Sequence, residues 1–214
     1  MGVITVLAGT NGAGKSSIGG AFVRRAGGAY YNPDDETRAI LVANPGLDLA
    51  QANGLAWTRG LENLRNAIAE GTNYAFETTL GGNTITRILI EGAESAGVSL
   101  RVWYCGLASP KLHLERVRAR VAAGGHDIPP DKIRARYDSS RRNLLKLIPH
   151  LTDLQVFDNS SSADPRHGSP PRPALVLKVV ERQLVHPVTA RDLKKTPAWA
   201  KPLVAAAVEA FAGL

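Results

Sequence analysis

Cysteine is almost absent from this chain: Cys105 stands alone among 214 residues. No intramolecular disulfide can form, which points to a reducing compartment. Long apolar runs are also missing. No stretch approaches the length that spans a bilayer, and the first apolar segment, at 3–8, is too short for a secretory leader. A cytoplasmic protein with no membrane partner is expected. Histidine at metal-ligand spacing is lacking too, since His126 has no suitable partner nearby, so a zinc site is excluded. No internal repeat occurs. Charge is the one strong bias. A net +7 favours anionic partners: nucleotides, sugar phosphates or nucleic acid.

The richest stretch follows that first apolar segment. Gly9-Thr10-Asn11-Gly12-Ala13-Gly14-Lys15-Ser16 reads G-x-x-x-x-G-K-S, between a predicted strand and a predicted helix. Its glycines let backbone N–H groups turn inward on phosphate oxygens. Gly9, Asn11, Gly12, Ala13, Gly14, Lys15, Ser16 and Ser17 are the expected nucleotide-binding residues. Lys15 would reach the β- and γ-phosphates, and the Ser16 hydroxyl would ligate Mg²⁺.

Strand and helix alternate along the chain, which predicts an α/β fold with a mostly parallel sheet flanked by helices. Strands are expected at 3–8, 28–31, 73–77, 99–107, 154–157 and 174–180. Helices are expected at 15–25, 36–42, 49–70, 84–96, 110–122, 131–147 and 198–212, with Leu55, Leu61, Leu64 and Ile68 as the apolar stripe of the third. Residues 160–173, rich in Ser, Pro and Gly, read as an exposed loop. The organisation expected is a P-loop domain over 1–185, with a lid at about 110–147, and a C-terminal extension over 186–214. Trp57, Trp103 and Cys105 read as packing residues.

A phosphate loop predicts only that a nucleotide binds; phosphoryl transfer also needs a base, an acceptor site and cations. Asp34, where the second strand ends, is the candidate base. Alternatively Asp34 or Asp35 caps the next helix, and Asp35 is the better placed for that. Glu77 and Thr79 could hold acceptor hydroxyls; Glu77 could instead support Mg²⁺ through water, or both could be turn residues. Neither the 73–77 nor the 99–107 strand ends in Asp. A basic block at 116–142, around Gly124-Gly125-His126-Asp127-Ile128-Pro129, suggests a lid over the phosphates. Arg116 and Arg120 share a helix face at i, i+4, Arg134 is next, and His126 is a phosphate-contact candidate. Asn159 is a candidate adenine contact.

Together these segments resemble the zeta toxin family of P-loop kinases, in its stand-alone branch. The motifs that carry the resemblance are the loop at 9–17, Tyr-Asn-Pro-Asp at 31–34, Phe-Glu-Thr-Thr-Leu at 76–80 and Arg-Val-Arg-Ala-Arg-Val at 116–121. Gly-Gly-His-Asp-Ile-Pro at 124–129, Ile-Arg-Ala-Arg-Tyr at 133–137 and Phe-Asp-Asn-Ser at 157–160 complete it. The resemblance implies an ATP- or GTP- and Mg²⁺-dependent kinase that phosphorylates a sugar hydroxyl of UDP-N-acetylglucosamine. It also implies a toxin whose antitoxin, here a separate chain, blocks the nucleotide site. By position Asp34 resembles the family's base, Glu77 and Thr79 its sugar-holding pair, and Arg116 or Arg120 its first charge-neutralising arginine. His126 stands where the familiar toxins carry a second lid arginine, and Arg134 is the expected substitute. Two other readings stay open: a kinase for another hydroxyl acceptor (nucleoside, antibiotic or nucleic-acid end), and a non-catalytic nucleotide-dependent binding protein.

Overall fold

The computed structural model describes residues 1–16, 30–161 and 173–211. Seven strands form one sheet: β1 (Val3–Ala8), β2 (Tyr30–Tyr31), β3 (Tyr74–Thr78), β4 (Ser99–Gly106), β5 (Asp153–Asp158), β6 (Ala174–Val180) and β7 (Gln183–His186). The spatial order is β2-β3-β1-β4-β5-β6-β7. The first five run parallel, and β6 and β7 are antiparallel additions at one edge. β1 therefore lies between β3 and β4, and the loops leaving these strands meet at their carboxyl ends, where ligands bind in open α/β sheets.

Helices α1 (Pro33–Ala43), α2 (Leu49–Glu70), α3 (Asn83–Ser95), α4 (Pro110–Ala122), α5 (Pro130–Leu147), α6 (Ala190–Lys195) and α7 (Lys201–Phe211) complete the described fold. α2 begins with an Asp48/Gln51 capping box and stops at Gly71, whose φ of 63 closes the last turn. Its buried stripe is Ala52, Ala56, Leu61, Leu64 and Ala67, while Leu55 and Trp57 are half exposed. Leu55 is thus not on the core face, because the small alanines are what pack against α1. The main core joins the sheet to α3, α5 and α7 through residues such as Val102, Leu89, Leu144, Leu203 and Phe211. Among the described residues, no helix is long and apolar enough to cross a membrane.

Three local expectations need correction. α1 starts at Pro33, not Glu36, because Asn32 is the cap: its side chain accepts from Asp34 N at 2.9 Å. Asp34, Asp35 and Glu36 then occupy the first turn, where the helix dipole favours negative charge. Asp35 is not the cap; it pairs with Arg38. The second is β7 and α6, in a segment for which no strand or helix was expected. The β6–β7 turn uses Glu181 (φ 48) and Arg182 (φ 64), non-glycine residues that carry no hairpin signal. The third is the C-terminal helix, which opens as a 3₁₀ turn at Ala198–Ala200 before α7. The helix expected at 15–25 and the loop at 160–173 fall largely outside the described residues, as do Ser17, residues 28–29 and residue 212.

Candidate active site

The phosphate loop leaves β1 at Gly9 and needs its glycines at identifiable points. Gly9, Gly12 and Gly14 have φ values of 137, 82 and 90, a region costly for side-chain-bearing residues. A Cβ on Gly9 would stand 2.1 Å from Cys105 O, and one on Gly12 would stand 2.9 Å from His113 O. The loop is therefore pressed against the end of β4 and the start of α4.

Three buried side chains fix it there. Cys105 Sγ and Asn159 Nδ2 both donate to Ala13 O, each at 2.9 Å. His113, 1% exposed, contacts Asn11 O through Nδ1 at 2.8 Å. A carbonyl can only accept, so Nδ1 carries the proton. Burial pushes the His113 imidazole down to about 4, against the opposing Asn11 bond, and the charges of Lys15, Arg116 and Arg141 push the same way. It is neutral at pH 7. Burial likewise pushes the Cys105 thiol up to about 12 despite Lys15 and Arg116, so it is an unreactive packing and donor group. Asn159, the candidate adenine contact, donates from Nδ2 to the loop while its Oδ1 is buried with no partner among the described residues, and Asn159 N bonds Gly106 O where β5 ends beside β4.

Lys15 and Ser16 meet Glu77. Lys15 Nζ lies 3.5 Å from Glu77 Oε1. Ser16 Oγ and Tyr30 OH donate to Oε2 at 2.8 and 2.7 Å. Leu7 pairs with Glu77 across β1 and β3, which puts this carboxylate directly beside the loop. Burial raises its pKa, but Lys15's charge and the bonds from Tyr30, Ser16 and Lys15 outweigh that, leaving it below the ordinary carboxylate range. Glu77 is therefore ionised and sits with the phosphate loop, lining neither cavity described below.

The turn after Glu77 is strained. Leu80 is buried with φ 53, a conformation that persists only where surroundings enforce it. Asn143 of α5 enforces it, donating to Leu80 O at 2.9 Å and Gly82 O at 3.2 Å. That turn presents Thr79 to a cavity of about 430 Å³, together with Trp57, Lys132, Arg136 and Ser139.

Asp34 lines a second cavity, of about 480 Å³, with Arg38, Asn53, Arg120 and His126. Among the described residues the Asp34 carboxylate has no hydrogen bond or ion pair, yet its charge acts on Arg136. Arg136 in turn donates from Nη1 to Asn11 Oδ1 at 2.9 Å and from that point reaches the phosphate loop, while its carbonyl accepts from Thr10 Oγ1 at 3.2 Å. Burial holds the Arg136 pKa below normal, with Asp34 opposing.

The remaining predicted cations divide. Arg120 Nη2 donates to His126 O at 2.6 Å, which folds the 124–126 turn toward Asp34. Arg116 instead bonds Asn159 O at 2.5 Å and Ser161 O at 3.3 Å, tying α4 to the end of β5. Arg134 is exposed and makes no hydrogen bond or ion pair among the described residues. Arg136, two residues on, is the arginine that bonds the phosphate loop. Two helical residues apart means nearly opposite faces, and Ile133, Tyr137 and Ser140 bury the face that brings Arg136 to the loop. His113, Asn143 and Arg136 were the residues that sequence reasoning passed over or left undistinguished. The sequence signal for His113 was slight: one histidine in the first turn of a helix that follows a buried strand.

With this geometry in place, comparison with known proteins is decisive for the family. The AAA domain model of the AAA_33 type matches residues 4–144. The chain belongs to this AAA domain family. An uncharacterized protein of Haemophilus influenzae is 31% identical over 129 residues, covering 60% of this chain and 88% of that protein. Solved structures share the fold at low identity. A chain of the AvrRxo1-ORF1:-ORF2 complex with ATP matches with a TM-score of 0.65 at 17% identity, over 93% of this chain and 64% of its own length. The chain thus spans less than two thirds of that protein's length. The PezAT toxin–antitoxin system of Streptococcus pneumoniae gives 0.52 at 12% identity, covering 79% and 72%. A candidate kinase of Chloroflexus aurantiacus gives 0.51 at 16%, covering 63% and 75%. The fold is that of the P-loop kinase-like proteins.

Proposed function

We propose that this chain is an ATP-dependent kinase that transfers the γ-phosphoryl group to a sugar hydroxyl of UDP-N-acetylglucosamine, as the toxin of a toxin–antitoxin pair. The observation that carries the kinase reading is Asp34, an unpaired carboxylate in a cavity, linked electrostatically through Arg136 to the phosphate loop. The ATP-bound structural neighbour supports the nucleotide, and the resemblance to zeta toxins together with the PezAT neighbour supports the acceptor and an antitoxin in trans.

In this reading Lys15 exchanges Glu77 for the β- and γ-phosphates. Ser16 and Glu77 offer hard oxygen atoms 2.8 Å apart, a donor set that fits Mg²⁺, which takes few protein ligands and completes its shell with phosphate and water. When bound, the ion supplies neutralisation of phosphate charge. Asp34 accepts the proton of the acceptor hydroxyl as its oxygen bonds to the γ-phosphorus. The bond from that phosphorus to the bridging oxygen breaks, and ADP leaves with the electron pair. Arg136 and Arg120 face the charge that spreads over the moving group, and Thr79 and His126 border the acceptor.

The test is a γ-labelled ATP screen over sugar nucleotides, nucleosides, aminoglycoside-type antibiotics and oligonucleotide ends. Label on UDP-N-acetylglucosamine, abolished by Asp34→Asn, is expected. Label on another acceptor with the same Asp34 dependence would replace the substrate and keep the kinase. Hydrolysis alone, equal in parent and variant, would contradict both.

A further inference from the structure

Helix α6 buries none of its 6 residues. A helix that short does not persist in water on its own propensity, and the Thr189/Asp192 capping box secures only its first turn. Leu193, its one large apolar side chain, is 47% exposed. Val185 of β7 and Val188 beyond it are 46% and 68% exposed. Leu184 packs into the main core, so Val185, next along the strand, faces away from it.

β7 is also an edge. Among the described residues it pairs only with β6, which leaves one row of its backbone N–H and C=O groups open to another strand. Lysine or proline on an edge strand guards against such pairing, and Gln183-Leu184-Val185-His186 has neither. The charge beside this edge has one sign. Arg191, Lys194 and Lys195 of α6 make no ion pair among the described residues. Asp192, the one carboxylate of α6, is spent on its cap, accepting from Thr189 Oγ1 at 2.6 Å. That bond holds the Asp192 pKa below normal, and the charges of His186 and Lys195 act in the same direction, so α6 lies close to the end of β7.

A second copy of this chain would bring like charges together, which opposes self-association. Nucleic acid would use the cations, but residues 183–195 hold no aromatic ring on which a base could stack, and the aliphatic side chains would stay uncovered. An extended acidic segment with interleaved apolar residues meets all three features: open backbone, exposed aliphatics and unpaired cations. The whole surface lies beyond residues 4–144, the part that the family model matches.

We propose that β7 and α6 form a docking surface for an acidic, apolar segment of a partner protein, which adds to the sheet beside β7 as a further strand. This does not rest on the kinase reading.

The probe is a fluorescein-labelled peptide of alternating glutamate and valine, titrated into the full chain and followed by anisotropy. Saturable binding is expected, with the amides of 183–186 protected from hydrogen exchange. The same peptide N-methylated at every residue keeps its charge but loses its amide donors, and should bind at least about 10-fold more weakly. Lys194→Glu combined with Lys195→Glu should weaken the unmodified peptide about 10-fold, and Val185→Asp should weaken it as well. These positions are exposed, so melting temperatures should match the parent's. No saturable binding, equal binding of the N-methylated peptide, or unchanged affinity in the charge-reversed variant would overturn the proposal. So would displacement of the peptide by a single-stranded oligonucleotide, or a concentration-dependent dimer that Val185→Asp abolishes.

Discussion

On one side the phosphate loop meets β4, β5 and α4, where three buried side chains bond its backbone: Cys105 and Asn159 on Ala13 O, His113 on Asn11 O. On the other side it meets α5 through Arg136, and beyond it lie cavities lined by Asp34, whose carboxylate has no partner among the described residues, by His126, and by the unpaired Lys132. The paired wall fixes the loop's backbone before any nucleotide arrives. The open wall holds charge in reserve for a guest. Arg136 links the two, bonded to Asn11 and under the charge of Asp34. Substitutions on the paired wall should therefore act on folding and on every reaction alike, and those on the open wall on transfer alone.

The sharpest way to break this contrast lies on α5. Arg136→Ala should lower kcat by roughly 10³-fold, the scale of a transition-state arginine, whereas Arg134→Ala should change it less than about 2-fold by the norm for exposed sites. Equal effects in steady-state assays would mean that α5 presents a different face to the reaction.

Glu77→Gln probes the boundary. It strips Lys15 of its buried partner, and an unpaired buried charge costs on the order of 3 kcal/mol. Urea unfolding should show that loss without nucleotide, and ATP should recover part of it by giving Lys15 a new partner. A loss that ATP leaves untouched would place Lys15 away from the phosphates.

The paired wall also predicts an acid limit. His113 has its folded pKa at about 4, below the unfolded value near 6.5. The unfolded chain takes the proton first, so this contribution is complete above about pH 6.5 and is lost as pH falls toward 4. Between pH 7 and pH 5 the loss is about 2 kcal/mol. Thermal melts should show it in the parent and a shallower fall in His113→Gln. A smaller effect, about 1–2 kcal/mol, is expected for Asn143→Ala, which frees the Leu80 turn; melting should fall slightly while ATP affinity holds.

How much of this was legible beforehand follows the same division. β1, α2 and α4 stand at their expected bounds because their ends carry local chemistry: the glycine loop, the Asp48/Gln51 box and Gly71, and Ser109-Pro110. Which side of a helix faces the loop was not legible. Arg134 and Arg136 are alike in type, and only the packing of Ile133 and Tyr137 tells them apart. Trp57 reads as core because it is large and apolar, but the core face of α2 is built from alanines. Asn159 sits at the expected strand end, yet its partner, Ala13 O, is 146 residues away in sequence. Such long-range pairings depend on strand order, and β1-β4-β5 adjacency has no local signature.

The most direct test of the central claim is single-turnover phosphoryl transfer by Asp34→Asn at saturating ATP and acceptor, with ATP affinity measured on the same sample. The account predicts unchanged affinity and melting temperature, with a transfer rate lower by roughly 10²- to 10⁴-fold. Transfer at the parental rate would contradict it.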